Sequence, residues 1–162
     1  MTFPKATADL PDFEDYSMKG RTYRYQTKEA LFPFGFGLSY TSFKFENAKA
    51  EKTSDGIKVD FTLENTGSFD AKEVVQVYIS KVKRNEDDPI ASLKYFTKVE
   101  VAKQSKKDIS FTLPMTAFES INQEGKAEIL SGDYFITIAD SAPVELSEKL
   151  GASKSAQIKI SI

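Results

Sequence analysis

Two arginines close to the amino terminus are the side chains most suited to bind a ligand. Arg21 and Arg24 follow three acidic residues and alternate with two tyrosines, Tyr23 and Tyr25. A guanidinium can stack on such rings or pair with a carboxylate, which is the chemistry of acidic or sugar ligand recognition. The same residues could instead form a local cluster of charges and rings that pins this segment, and we favour this second interpretation.

Carboxylates offer a second possible chemistry. Hydrolysis by a carboxylate pair requires two acids at a defined separation, and nothing in the sequence marks one pair among its 24 acidic residues. Residues 86–88 read Glu-Asp-Asp, without the alternating ligands and turn glycine of a calcium loop. The chain has no histidine and no cysteine, which excludes thiolate nucleophiles and the usual zinc sites. We therefore predict no catalytic residue, no metal site and no cofactor.

The stretch "LFPFGFGLSYTSF", residues 31–43, has five aromatic residues and no charge. These rings could stack on sugars, but the chain has no tryptophan, which offers the largest stacking face. Glycines and a proline give the stretch an irregular path, and it lacks the spacing of a phosphate-binding loop. We interpret its rings as packing residues, because left in water they would form an exposed apolar patch.

Composition excludes several classes of partner. The net charge of −2 comes from 22 basic and 24 acidic residues that are mixed along the chain. This pattern lacks the basic patch that nucleic acid requires. The sequence contains no apolar run of membrane-spanning length and no signal peptide.

Beyond residue 43 the apolar residues alternate with polar ones, which is typical of half-buried strands. In "IKVDFTLE", residues 57–64, every second side chain is apolar. Six further strands are predicted near residues 42–49, 73–82, 93–101, 108–113, 133–139 and 156–162, and a short helix over 144–150. We predict an all-β fold, an antiparallel β-sandwich of two sheets and about seven strands.

A shared core is predicted from the same alternation. The residues expected to line it are Ile57, Val59, Phe61, Leu63, Val75, Val77, Phe111, Ile136, Ile138 and Ile158.

The first forty residues lack this pattern and are predicted to form an irregular amino-terminal extension. We place a boundary near Tyr40. Residues 31–40 adjoin the first strand and should be ordered against the sandwich, whereas residues 2–25 should have no such tether.

Five stretches, in order, carry a resemblance to a known family. "FEDYSMKGRTYRY", "LFPFGFGLSYTSF", "ENTGSFDAKEVVQVYIS", "LKYF" and "SGDYFITIADS" together resemble the C-terminal part of a family 3 glycoside hydrolase of the β-glucosidase or β-xylosidase type. The family's usual "LKGF" reads "LKYF" here, and a tryptophan often found before "GDY" is absent. The resemblance implies a fibronectin type III-like, immunoglobulin-like sandwich over residues 41–162. Residues 1–40 would be the exit segment of a preceding α/β domain and a linker.

The resemblance also implies that the catalytic residues belong to other domains. In that family a barrel domain carries the nucleophile and an α/β domain usually supplies the acid/base, so both would lie upstream of Met1. The chain is then expected to be a noncatalytic module that packs on the catalytic domains of a parent hydrolysing β-linked glucosides or xylosides. The expected packing residues are Phe32, Phe34, Phe36, Tyr40, Arg21, Arg24, Tyr23 and Tyr25.

The parent would be periplasmic or secreted, and the extension could allow self-association. The alternative interpretation is a carbohydrate-binding or adhesion-type β-sandwich module.

Overall fold

A computed structural model describes residues 2–122 and 124–162; Met1 and Gln123 lie outside the described residues. The strands are β1 (Phe3–Pro4), β2 (Ala30–Phe32), β3 (Phe43–Thr53), β4 (Gly56–Asn65), β5 (Ala71–Lys81), β6 (Ser92–Val101), β7 (Ser105–Leu113), β8 (Glu119–Ile121), β9 (Ala127–Ile129), β10 (Asp133–Ala139) and β11 (Ala156–Ser161). The helices are α1 (Thr22–Tyr25) and α2 (Glu145–Lys149), with short 3-10 turns at Thr7–Asp9 and Met115–Phe118.

Seven long strands form two antiparallel sheets. One sheet has the order β3-β4-β7, and the other has the order β11-β10-β5-β6. The β4 strand lies at the centre of the first sheet and pairs along its length with both neighbours. Its alternating apolar residues all face the second sheet, which is why this strand is the clearest in the sequence. The predicted β-sandwich is confirmed.

The core lies between the two sheets. Eight of the ten predicted core residues are buried, and Phe111 and Ile158 are partly buried and pack against the others. Aromatic residues close one side of the core: Tyr95 of β6 stacks on Phe111 of β7 with ring centroids 4.3 Å apart. The two sheets are thus joined by side-chain packing and not by backbone pairing.

Each predicted strand is present, and α2 falls within the predicted helix. The structure adds elements that the sequence did not predict: α1, the two 3-10 turns, and two short two-stranded sheets in which β1 pairs with β2 and β8 pairs with β9. Among the described residues, no helix is both long enough and apolar enough to cross a membrane.

Candidate docking surface

The β5 strand is covered on both of its faces. Five consecutive residues, 75–79, are buried, whereas a strand with one solvated face would alternate. Val75, Val77 and Ile79 belong to the core between the sheets. Gln76 and Tyr78 point to the outer face, away from the first sheet, so some other part of the chain must cover them.

The cover comes from the amino-terminal extension. We call residues 31–40 the strap. Phe34 of the strap and Tyr23 of α1 stack with ring centroids 4.4 Å apart, and the Tyr23 ring meets Tyr78 edge-on at 5.8 Å. Ala91 and Ala142 complete this second apolar cluster, which lies outside the main core.

Backbone hydrogen bonds fix the same contacts. The Ala142 amide donates to the Phe34 carbonyl oxygen over 2.8 Å, and the Ile90 amide donates to the Arg24 carbonyl oxygen over 2.6 Å. The Leu93 amide donates to the Tyr23 hydroxyl oxygen over 3.0 Å. The expectation that residues 2–25 have no tether is therefore wrong at Tyr23 and Arg24. Sequence reasoning missed these contacts because their partners lie some 65 to 70 residues away along the chain.

A polar network lies beneath the strap. The Tyr78 hydroxyl donates to Gln76 Oε1 over 2.5 Å, and Gln76 Nε2 donates to the Asp140 carbonyl oxygen over 2.6 Å. Burial raises the pKa of Tyr78 far above its usual value, so the phenol remains a donor. Gly35 lies directly over the Gln76 amide, where a Cβ atom would come within 2.6 Å of Nε2. With φ at +76°, this position favours glycine on two grounds.

The other residues predicted to pack against a neighbouring domain differ in how much of each side chain is covered within the chain. Phe32 stacks on Phe36 with centroids 6.3 Å apart and meets Phe3 edge-on, but 44% of Phe32 remains exposed. Tyr40 contacts little, since 95% of it is exposed, and Leu38 is similarly open. A role for these side chains in packing against another domain stays a prediction.

The two arginines act differently from each other. Arg21 Nε donates to the Ser17 carbonyl oxygen over 2.9 Å, and its Nη2 donates to the carbonyl oxygens of Asp12 and Asp15. Arg21 therefore holds a loop through its backbone and not through the neighbouring carboxylates. Arg24 lies with its guanidinium carbon 5.6 Å from the centre of the Tyr25 ring.

One carboxyl group near the strap has an unusual titration. Burial and, secondarily, the neighbouring charge of Asp140 raise the pKa of Glu73 to about 7, against the pull of the Val74 amide and Lys98. Asp140 itself accepts hydrogen bonds from the Ser153 amide and the Ser141 hydroxyl, which gives it a structural role. Within residues 2–122 and 124–162, no three acidic side chains cluster closely enough to hold a metal ion.

The extension presents further apolar surface to solvent. Phe13 and Tyr16 are each 92% exposed, and Leu10, Met18 and Leu31 are about half exposed. Together with Leu38 and Tyr40, these side chains form what we call the docking surface. Such a concentration of exposed apolar side chains in one segment is typical of a surface that another body covers.

Comparisons with known proteins agree with the fold. The Fn3-like family, a fibronectin type III-like domain, matches residues 73–142. The xylan 1,4-beta-xylosidase of Xylanibacter ruminicola is 40% identical over 82% of this chain and 16% of its own length. The periplasmic beta-glucosidase of Salmonella typhimurium is 29% identical over 90% of this chain and 21% of its own length.

Solved structures give the same result. The beta-glucosidase of Listeria innocua superposes on 99% of this chain and 23% of its own, with a TM-score of 0.74 and 25% identity. The GH3 beta-glucosidase of Bifidobacterium adolescentis covers 85% of this chain and 20% of its own, with a TM-score of 0.70 and 28% identity. The chain thus spans less than a quarter of the length of these four proteins.

Proposed function

The chain carries a fibronectin type III-like domain of the kind found in family 3 β-glucosidases and β-xylosidases, and from this premise we propose that it is their noncatalytic C-terminal module. Its work is to pack against the catalytic domains of a longer protein and to stabilise them. That longer protein would hydrolyse β-linked glucosides or xylosides, and it would be periplasmic or secreted like the Salmonella relative.

The exposed docking surface is the observation that supports this proposal. Phe13, Tyr16, Leu38 and Tyr40 are each more than 90% exposed, although the nearby Tyr23 and Phe34 are packed. Covering one such side chain contributes about 1.5–3 kcal/mol. We further propose that residues 1–40 belong to the interdomain connection, with residues 41–162 forming the sandwich, and that Phe32, Phe36 and Tyr40 contact the preceding domain.

Substitution in two contexts tests the packing role. Replacing both Phe13 and Tyr16 by serine should leave the melting temperature of the isolated chain unchanged, because both rings are exposed there. In a longer protein that contains the catalytic domains, the same pair should lower the melting temperature by several degrees. Lys103→Ser is the matched surface control. An unchanged melting temperature in the longer protein would refute packing through this surface.

A second assay separates the module from an enzyme and from a sugar-binding domain. The isolated chain should not hydrolyse aryl β-glucosides or β-xylosides, and calorimetry with xylan or cellulose oligosaccharides should give no saturable heat. Saturable binding that disappears in Tyr40→Ala would favour the carbohydrate-binding alternative. Turnover that survives repurification and is lost on replacing one carboxylate would refute the noncatalytic role.

A further inference from the structure

A cavity lies beside α1, the helix whose Tyr23 packs on the strap. It has a volume of about 450 Å³ and opens between α1, β6 and β8. Its wall includes three basic side chains, those of Arg24, Lys81 and Lys94, and the hydroxyl groups of Ser92 and Ser120. This volume is within the range of pockets that hold small ligands.

Arg24 lines this cavity, and its side chain carries an unsatisfied donor. Its backbone is held by the hydrogen bond from the Ile90 amide, so the side chain has a fixed origin. Nε is buried from solvent and has no hydrogen-bond partner among the described residues. An unpaired buried donor of a charged group is costly, so a ligand that accepted a hydrogen bond from this guanidinium would offset that cost.

Lys94 is directed to the same cavity by an irregularity of β6. Leu93 pairs with Tyr78, and Tyr95 pairs with Val77, the next residue along β5. Lys94 is therefore an extra residue with no partner in β5, which is a β-bulge. Bulges turn a side chain away from the direction that the regular pleat would give it.

The positive charges of Arg24 and Lys94 repel each other. The Lys94 side chain remains in contact with solvent, yet partial burial and then the charge of Arg24 lower its pKa, while Glu119 raises it more weakly. No ion pair joins Arg24 or Lys94 to a carboxylate in the described part of the chain. Of the acids that line the cavity, Asp88 is paired with Lys81 at 2.7 Å, and Asp87 and Glu119 are exposed.

We propose that this cavity binds a carboxylate group, held by the guanidinium of Arg24 and the ammonium of Lys94. The planar fork of arginine matches the two oxygens of a carboxylate, and the bound charge would relieve the repulsion between the two cations. A single negative charge fits better than a phosphate dianion, because Asp87 and Glu119 line the same cavity and would repel the second charge, whereas Asp88 is paired with Lys81. This proposal does not depend on the proposed function.

Two sources could present the carboxylate: an acidic side chain of a neighbouring protein segment, or a free sugar acid. Both offer the same group to Arg24 and Lys94. A probe that carries only the carboxylate tests the shared chemistry, and larger ligands then distinguish the two sources.

Nuclear magnetic resonance of the full chain tests the proposal with sodium acetate as the probe and acetamide as its neutral isostere, at an ionic strength held constant with sodium chloride. Acetate should shift the Arg24 Nε–Hε resonance saturably and raise the titration midpoint of Lys94, and acetamide should do neither. Lys94→Gln should weaken acetate binding about tenfold, the value of one charge-assisted hydrogen bond. Lys98→Gln, on the same strand outside this cavity, should bind acetate as the unaltered chain does.

Arg24→Gln, checked for folding by circular dichroism, should abolish the acetate response. The proposal is overturned if acetate acts no more strongly than chloride, or if folded Arg24→Gln responds undiminished. The titration midpoint of Lys94 in the unaltered chain tests acetate binding without depending on the folding of any variant. Binding of glucuronate more tightly than acetate would support a free sugar acid, and tighter binding of a capped Gly-Asp-Gly peptide would support an acidic side chain.

Discussion

Buried polar side chains of the sandwich find their partners within the chain. Asn65 is fully buried at the end of β4, where its Nδ2 donates to the carbonyl oxygens of Phe69 and Val101. Its Oδ1 accepts hydrogen bonds from the Thr41 hydroxyl and the Gly67 amide. This asparagine therefore fastens the loop that crosses from one sheet to the other.

Tyr78 offers a direct test of such a buried partner. Tyr78→Phe removes the donor to Gln76 Oε1 and leaves that oxygen unsatisfied beneath the strap. We expect the free energy of unfolding in urea to fall by about 1 kcal/mol. Tyr40→Phe, which alters an exposed ring, should leave it unchanged. Equal stability of the two variants would contradict the role of the network.

Glu73 should make stability depend on pH in an uncommon direction. Its pKa is about 7 in the fold and 4.5 ordinarily. Below pH 4.5 the carboxyl group is protonated in both states and carries no penalty. Between pH 4.5 and 7 the unfolded chain ionises first, so stability falls as pH rises. Acids whose pKa is lowered in the fold, such as Asp133, have the opposite effect on stability. Their stabilising contribution is lost as the pH falls below their ordinary pKa.

Glu73→Gln should remove this dependence. We expect the variant to be more stable than the unaltered chain at pH 8, by on the order of 1–3 kcal/mol, and similar to it at pH 4.5. Urea unfolding at several pH values between 4.5 and 8 measures the difference. A constant difference across this window would show that Glu73 does not titrate there.

At the scale of elements, the strap depends on one glycine. Gly35→Ala would place a methyl group against the Gln76 amide at an unfavourable positive φ. Gly20 also has a positive φ, of 69°, but open space around it. Gly20→Ala therefore measures the energetic cost of the positive φ without a steric clash. We expect Gly20→Ala to lose about 1 kcal/mol and Gly35→Ala distinctly more. Faster hydrogen exchange at the Ala142 amide in Gly35→Ala alone would locate the damage in the strap.

The helix α1 should stabilise the sandwich although it is only four residues long. Tyr23→Ala removes the ring between Phe34 and Tyr78 and the acceptor for the Leu93 amide. We expect a loss of about 2–3 kcal/mol in thermal or urea unfolding. Tyr16→Ala should have no effect. Deleting residues 1–26 should therefore lower the melting temperature, which an untethered segment would not do.

Local patterns explain which elements could be predicted. The long strands follow from alternation, and eight of the ten core positions followed from it too. The pairings of β1 with β2 and of β8 with β9 could not be predicted, because strands of two or three residues are too short to show a period. The covered outer face of β5 did leave a trace: "VVQVYI" is apolar on both faces around Gln76, which indicates a strand buried on both sides.

Contacts between distant parts of the chain left no such trace. The sequence gives no hint that Tyr23 would stack on Phe34 and meet Tyr78, because each of these rings lies in a different element. Residues 65–67 read Asn-Thr-Gly, residue types that favour a turn, yet side-chain hydrogen bonds of Asn65 hold this turn, and neither Asn65 nor Gly67 has a positive φ.

For the whole molecule, the docking surface predicts concentration-dependent behaviour. The isolated chain should self-associate weakly at high concentration, because exposed rings such as Phe13 and Tyr16 can meet those of another copy. Replacing both by serine should lower the apparent mass in light scattering, and Lys103→Ser should not. Self-association that persists in the double variant would place the contact elsewhere.

The bulge at Lys94 has a consequence for such association. It interrupts β6, an outer strand of its sheet, and the other three outer strands are also interrupted or charged: β3 has a bulge between Glu46 and Lys49, β7 carries Lys106 and Lys107, and β11 carries Lys159. Such features prevent one sheet from extending into the next by backbone pairing. Copies that meet through their rings should therefore separate on dilution and should not grow into fibrils.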